Sequence, residues 1–192
     1  MEGIGRVLIV SGNEKGAEFI ENMLCQFEPE TTVTLHAGSE ARRVLLDGCA
    51  FDYIFINMPL PDETGADLAR RAAESSSVMV LVKNDVAEQV GYSLAESGIF
   101  ILPKPISNSN FVCGIYMMMA AKARADGYIR KNEELQLKIN ENNLIFRAKC
   151  LLIEKKSLSE HEAHKYIEKR AMDTRKSKCE IANDIIRTYD ED

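Results

Sequence analysis

Several features of exported and membrane proteins are missing from this sequence of 192 residues. No apolar run approaches the roughly 18 residues that a membrane span needs. The amino terminus has no charged segment leading into a hydrophobic core, which is the pattern of a secretory signal. We therefore expect a cytoplasmic protein.

Cysteines and histidines are too scattered for a disulfide framework or a strong metal site. The five cysteines are odd in number and form no Cys-x-x-Cys pair, which favours reduced thiols. His161 and His164 are close in sequence and not far from Cys150, but two exposed histidines on a helix are usually solvated. We expect no metal, no cofactor and no catalytic activity.

An excess of positive charge is also missing, since the formal net charge is −6. Taken alone, this value argues against nucleic-acid binding. The average hides a split, however, because residues 1–106 hold 8 Lys+Arg against 16 Asp+Glu, whereas residues 142–187 hold 11 against 7. An acidic first part followed by a basic last part suggests two tasks, the second with an anionic partner.

Short apolar runs alternate with helical patterns through the first hundred residues. The predicted strands are Arg6–Ser11, Thr31–Leu35, Tyr53–Asn57, Val78–Val82 and Ile99–Leu102. The predicted helices between them are Glu14–Phe27, Ser39–Leu46, Ala66–Ala73 and Asp85–Ser97. This alternation predicts an α/β domain with a doubly wound, five-stranded parallel sheet. Ligands of such sheets bind at the carboxyl ends of the strands.

The order of these elements, the Pro61 to Gly65 loop and the pair Lys104-Pro105 resemble the receiver domain of two-component response regulators. The resemblance covers roughly residues 3–106 and implies a flavodoxin-like (CheY-like) fold with a cis peptide bond before Pro105. In that family an acidic pair holds Mg²⁺ and an aspartate accepts the phosphoryl group. The family's functional positions fall here on Ser11, Gly12, Asn57, Val82 and Lys104.

Of these positions only Lys104 keeps the family's residue type. Mg²⁺ requires hard anionic oxygens, which Ser11, Gly12 and Asn57 do not supply. An amide does not form an acyl phosphate, because its nitrogen is a very poor nucleophile. The resemblance therefore implies a pseudo-receiver. Lys104 has no obvious counter-ion in it, although Asp62 or Glu63 could reach it. An unrelated α/β domain is the alternative.

A long helix is predicted from Asn110 to about Phe146, where no proline occurs. Apolar and small residues recur there at 3-4 spacing, which predicts a coiled-coil seam over about four heptads. Asn132 falls at an a-type position of this seam, where a buried asparagine favours a coiled coil of two helices. The pattern therefore predicts a homodimer. For the first turns, the alternative is packing against the domain's own sheet. The seam residues are Tyr128, Asn132, Leu135, Ile139, Asn142 and Phe146.

Two Ser-x-x-Glu capping boxes mark helix starts near the carboxyl terminus, at Ser159 and Ser177. They predict three short helices, 142–156, 159–172 and 177–189, each with an apolar face. The buried side of the second helix is expected to include Tyr166, and the polar sides of all three are rich in lysine and arginine.

Within this segment, A-K-x-L-L, L-S-E-x-E-A-x-x-Y-I, A-M-D and E-I-A-x-x-I-I resemble the ANTAR domain of AmiR/NasR-type antitermination regulators. The resemblance covers residues 148–186. It implies an RNA-binding module that captures tandem stem-loops in nascent leader RNA and so prevents an overlapping terminator from forming. Glu168 departs from the family, which often has arginine there. The candidate RNA contacts are Arg147, Lys149, Lys155, Lys156, His164, Lys165, Lys169, Arg170, Arg175, Lys176 and Lys178.

Together these interpretations divide the chain into a pseudo-receiver (1–108), a coiled-coil linker (109–141) and an ANTAR domain (142–192). The main functional hypothesis is an RNA-binding antiterminator. The alternative is a protein-interaction adaptor, whose pseudo-receiver docks a sensor or a sequestering regulator. Phosphotransfer conflicts with Asn57, and DNA binding lacks a clear recognition-helix pattern.

Overall fold

The computed structural model describes residues 3–190, the last of them by its backbone only. The chain divides into two compact units, one ending at Arg124 and the other beginning at Ala125. No helix in the described range is long and apolar enough to cross a bilayer.

The first unit is built on a five-stranded parallel sheet with strand order β2-β1-β3-β4-β5. This topology confirms the flavodoxin-like fold. Three strands have the predicted bounds, whereas β4 is longer by one residue at each end and β5 begins one residue later and continues to Lys104. The strands are β1 (Arg6–Ser11), β2 (Thr31–Leu35), β3 (Tyr53–Asn57), β4 (Ser77–Lys83) and β5 (Phe100–Lys104).

Helices cover both faces of the sheet. Their bounds are α1 (Glu14–Leu24), α2 (Gly38–Leu46), α3 (Ala66–Ala72), α4 (Asn84–Glu96) and α5 (Asn108–Lys156). A 3₁₀ turn at Cys25–Phe27 follows α1, and the next residue, Glu28, has a left-handed conformation with φ 48°. The peptide bond between Lys104 and Pro105 is cis as expected, and the bond between Met58 and Pro59 is also cis.

The first turns of α5 pack on the domain's own sheet. Phe111 is fully buried, with its ring centroid 5.7 Å from that of Phe55 on β3 and 5.7 Å from that of Phe19 on α1. Ile115 and Met118 continue this buried row at the i+4 and i+7 positions. The alternative that the sequence left open for these turns is therefore correct.

The second unit packs the end of α5 against α6 (Glu160–Thr174) and α7 (Lys178–Asp190). Small residues, Ala148, Ala163 and Ala182, are fully buried where the helices meet. Both capping boxes are formed: the Ser159 N–H donates to Glu162 Oε2 at 2.8 Å, and the Ser177 N–H donates to Glu180 Oε2 at 2.7 Å. This satisfies backbone donors at both helix starts and confirms the second and third of the predicted short helices. The first, 142–156, is the end of α5, which continues past Phe146 to Lys156 without a break.

Candidate functional sites

Two of the family positions, Ser11 and Asn57, lie buried side by side at the carboxyl edge of the sheet. Asn57 Nδ2 donates to Ser11 Oγ at 2.9 Å, and Ser11 Oγ donates to the Asn13 carbonyl at 2.8 Å. Asn57 is only 6% exposed, and its Oδ1 atom accepts no hydrogen bond from any residue that the structure describes. Neutral groups thus occupy the positions at which receivers carry carboxylates.

Lys104 reaches the same edge from β5, where its Nζ donates to the Met58 carbonyl at 2.9 Å. Burial lowers the pKa of Lys104, and the nearby Lys83 charge lowers it further. Lys104 forms no ion pair with Asp62 or Glu63, the two carboxylates that the sequence offered. Asp62 accepts from backbone N–H groups at the start of α2, and Glu63 forms an ion pair with Arg42.

Of the remaining two family positions, Gly12 lies next to this site and Val82 does not. Gly12 lies under the β3–α3 loop, since a Cβ atom there would be 2.5 Å from Pro61 Cδ. Val82 is fully buried in the core cluster on the other face of the sheet, and the structure does not bring it to Asn57. Its neighbour Lys83 lies in register with Lys104 instead. The sequence pattern does not indicate Lys83, because a charged residue after an apolar run is typical of a loop.

A cleft of 410 Å³ opens beside these residues, lined by Asn13, Gly16, Phe19, Asn57, Leu81, Lys104, Pro105 and Ile106. No carboxylate lines it, and the described part of the chain holds no cluster of three acidic, histidine or cysteine side chains suited to a metal. A receiver fold implies a Mg²⁺ site here. The residues present do not fit that ion, which takes anionic oxygen ligands.

Four of the candidate RNA contacts in the second unit are engaged by carboxylates. Lys149 Nζ lies 2.5 Å from Glu160 Oε1, and Lys176 Nζ lies 2.9 Å from Asp184 Oδ2. Glu168 Oε1 accepts from both Lys178, at 2.6 Å, and His164, at 3.3 Å. We call Lys149, His164, Lys176 and Lys178 the paired set.

A second group of cations makes no ion pair within residues 3–190. Lys155, Lys165, Lys169 and Arg175 are exposed and without such a partner. Lys165 and Lys169 lie at i and i+4 on α6, where such residues share one face of the helix. Arg147 is also exposed, but another group already engages it.

Two further cations, Lys156 and Arg170, contact Tyr166. Lys156 Nζ lies 4.9 Å from the centre of the Tyr166 ring, and Arg170 Nη1 donates to the Tyr166 hydroxyl at 2.9 Å. Burial opposes ionisation of Tyr166, but the Arg170 hydrogen bond and the Lys156 charge outweigh it and lower its pKa. Tyr166 is partly buried and packs against the core of this unit, which confirms in part its predicted place on the buried side of the helix. We call Lys155, Lys156, Lys165, Lys169, Arg170 and Arg175 the open set.

The comparisons with known proteins give one kind of match for each of the two units. Residues 133–186 match the ANTAR domain model, a stretch that includes the end of α5, all of α6 and most of α7. The sequence matches no curated protein.

Solved structures resemble the first unit. The signal receiver domain of an HD domain-containing protein from Pseudomonas fluorescens Pf-5 is 16% identical, with TM-score 0.56 over 66% of this chain and 95% of that chain. The response regulatory domain of mrkE from Klebsiella pneumoniae is 15% identical, with TM-score 0.54 over 62% and 98%. The HemR receiver domain from Leptospira biflexa is 24% identical, with TM-score 0.52 over 59% and 93%. The chain therefore carries an ANTAR domain, preceded by a domain with the fold of response-regulator receivers.

Proposed function

We propose that the protein is a transcription antiterminator, whose ANTAR domain binds tandem stem-loops in leader RNA and thereby prevents a terminator hairpin from forming. It acts without catalysis in the cytoplasm, where nascent RNA is made. The observation that carries this proposal is the open set of six cations in a unit that matches the ANTAR family. Such cations bind phosphates and position the RNA.

The open set is better suited to phosphate contact than the paired set. An RNA phosphate that approaches Lys149 or Lys178 must compete with the carboxylate that already accepts from that ammonium. Phosphates that approach Lys165 or Lys169 meet no such competition. We therefore assign the main electrostatic contacts to the open set and secondary contacts to Arg147 and the paired set.

Tyr166 is the candidate for base recognition within this surface. Sequence-specific proteins usually read RNA at unpaired loop bases, which stack on aromatic side chains. Lys156 lies over the face of the Tyr166 ring and Arg170 bonds its hydroxyl, so both cations are close enough to contact the phosphates next to a base at this position. Its partial exposure supports this role.

We propose further that two copies pair through α5. The seam side chains Tyr128, Leu135, Ile139 and Phe146 are 50–68% exposed. An apolar row at 3-4 spacing on an exposed helix favours burial against a second helix. A dimer presents two ANTAR domains, which suits a target with two stem-loops.

The first unit is proposed to be a pseudo-receiver that does not accept a phosphoryl group. Asn57 offers an amide at the phosphoacceptor position, and Ser11 and Gly12 offer no carboxylate for Mg²⁺. Control of RNA binding must then come from a signal other than phosphorylation of this site.

The test is binding of the full chain to a leader RNA with two stem-loops, compared with duplex DNA of the same length. We expect tighter binding to the RNA and increased read-through of an overlapping terminator in transcription in vitro. Affinity should fall as salt increases, because phosphate neutralisation releases counterions. Equal affinity for the RNA and the duplex DNA would contradict the proposal.

A further inference from the structure

Two lysines lie next to each other at the carboxyl edge of the sheet. Lys83 at the end of β4 is in register with Lys104 at the end of β5. Paired residues of neighbouring strands project from the same face of a sheet, and this is the face of Leu81, which lines the cleft. Neither lysine forms an ion pair within residues 3–190. Asp85 lines a second cavity together with Lys83.

Adjacent like charges repel each other, and partial burial of Lys104 adds the cost of lost hydration. The only hydrogen bond from its ammonium to a described residue goes to the Met58 carbonyl. A lysine ammonium has three donors, so two remain for another acceptor. An anion from solution would satisfy these donors and offset the repulsion.

The rest of the cleft determines which anion fits. Its volume of 410 Å³ is within the usual range for small-molecule sites of about 300–1,000 Å³. Phe19, Leu81 and Ile106 give it apolar walls. The buried Asn57 Oδ1 is an acceptor without a donor in the described structure, so a ligand with a donor group next to its charge is favoured.

We propose that this cleft binds a small organic oxyanion with a hydroxyl group next to its charged group, either a 2-hydroxycarboxylate or a singly protonated phosphomonoester. The charged group accepts from Lys104 and lies close to Lys83. The hydroxyl donates to Asn57, and the apolar part contacts Phe19, Leu81 and Ile106. The site is separate from the proposed RNA surface and does not depend on it.

Calorimetric titration of the full chain tests this assignment. The probes are mandelate, phenylacetate, phenyl phosphate and benzyl alcohol, which differ in the hydroxyl, the charge and the type of oxyanion. We expect mandelate or phenyl phosphate to bind, and the one that binds identifies the source of the oxyanion. Phenylacetate should bind at least about tenfold more weakly than mandelate, since it lacks the hydroxyl. Benzyl alcohol should not bind.

Two substitutions at the paired lysines, Lys104 in the cleft and Lys83 beside it in register, and one outside the site complete the test. Lys104→Gln and Lys83→Gln should each weaken binding about tenfold or more, because each removes a positive charge from the site. Lys138→Gln, on the exposed middle of α5, makes the same change in net charge and should leave affinity unchanged. No binding of either mandelate or phenyl phosphate, or equal weakening by all three substitutions, would overturn the proposal. Equal binding of mandelate and phenylacetate would overturn the contact with Asn57.

Discussion

Lys178 Nζ lies 2.6 Å from Glu168 Oε1 and so joins the start of α7 to the middle of α6. The hydrogen bond from Lys178, its charge and then that of His164 lower the pKa of Glu168. Glu168 is therefore ionised at neutral pH, and its charge is balanced within the unit. The residue that departs from the family pattern thus contacts two side chains, Lys178 and His164, that the sequence assigned to RNA.

Replacing Glu168 with glutamine should increase RNA affinity. The change leaves Lys178 and His164 without their carboxylate and removes a negative charge from the surface of α6. We expect an increase of about two- to fivefold at low salt that shrinks as salt increases. Fluorescence anisotropy with a two-stem-loop RNA measures it.

The matched control is Glu154→Gln on α5, which changes the net charge equally at an exposed glutamate without an ion pair in the described range. It should change affinity less than Glu168→Gln does. A loss of affinity in Glu168→Gln would show that Glu168 contributes to RNA binding rather than opposing it.

Substitutions in the open set should weaken RNA binding more than substitutions in the paired set. Neutralising Lys165 and Lys169 together with glutamine should weaken binding about tenfold or more near physiological salt. It should also reduce the slope of log affinity against log salt by about 0.7 to 0.9 for each RNA phosphate that is no longer neutralised. Neutralising Lys176 and Lys178 removes the same charge, but from residues already paired with Asp184 and Glu168, so we expect a smaller effect. Equal weakening in the two double variants would reject this division of the surface.

The sequence was sufficient for the architecture because continuous apolar runs mark buried parallel strands whatever lies around them. The sequence pattern did not predict the end of β4, where pairing with β5 extends the strand to Lys83. It also did not predict which basic residues of the second unit are paired with carboxylates. Whether Lys178 meets Glu168 depends on how α7 packs against α6, and residues ten apart on two helices have no fixed distance before the fold forms.

Tyr166 shows the same limit on a smaller scale. Its spacing from Ala163 and Ile167 predicts the core, and those two neighbours are indeed fully buried. Tyr166 also packs against this core, but it is only partly buried, and its hydroxyl accepts a hydrogen bond from the exposed Arg170, one turn later on the same helix. A periodicity argument treats a tyrosine as apolar and does not indicate where its hydroxyl finds a partner.

If two copies pair through the α5 seam, lysines introduced into the seam should separate them. Leu135→Lys with Ile139→Lys places like charges on both helices of the pair, so the chain should become monomeric by light scattering. Leu137→Lys is the control, because Leu137 is also exposed, at 63%, but lies outside the 3-4 seam. The control should keep the mass of the wild-type protein. An unchanged mass in the double variant, or dissociation in the control, would contradict the seam.

We expect the ionised Asp62 carboxylate to stabilise the first unit at neutral pH and to lose this effect in acid. Hydrogen bonds from the Ser39 and Gly38 backbone N–H groups lower its pKa from 3.8 to about 2. A carboxyl group with a lowered pKa in the folded state stabilises that state above its unfolded pKa, and this stabilisation is lost as pH falls toward the folded pKa. Asp62→Asn should therefore lower the melting temperature at pH 6, and the difference from wild type should shrink between about pH 4 and pH 2. Thermal unfolding followed by circular dichroism across this range measures the effect. Asp47→Asn provides the control, since Asp47 directly follows α2 and its side chain has no described hydrogen-bond or ion-pair partner. A difference for Asp62→Asn that stays constant down to pH 2 would show that the two backbone hydrogen bonds do not require the ionised carboxylate.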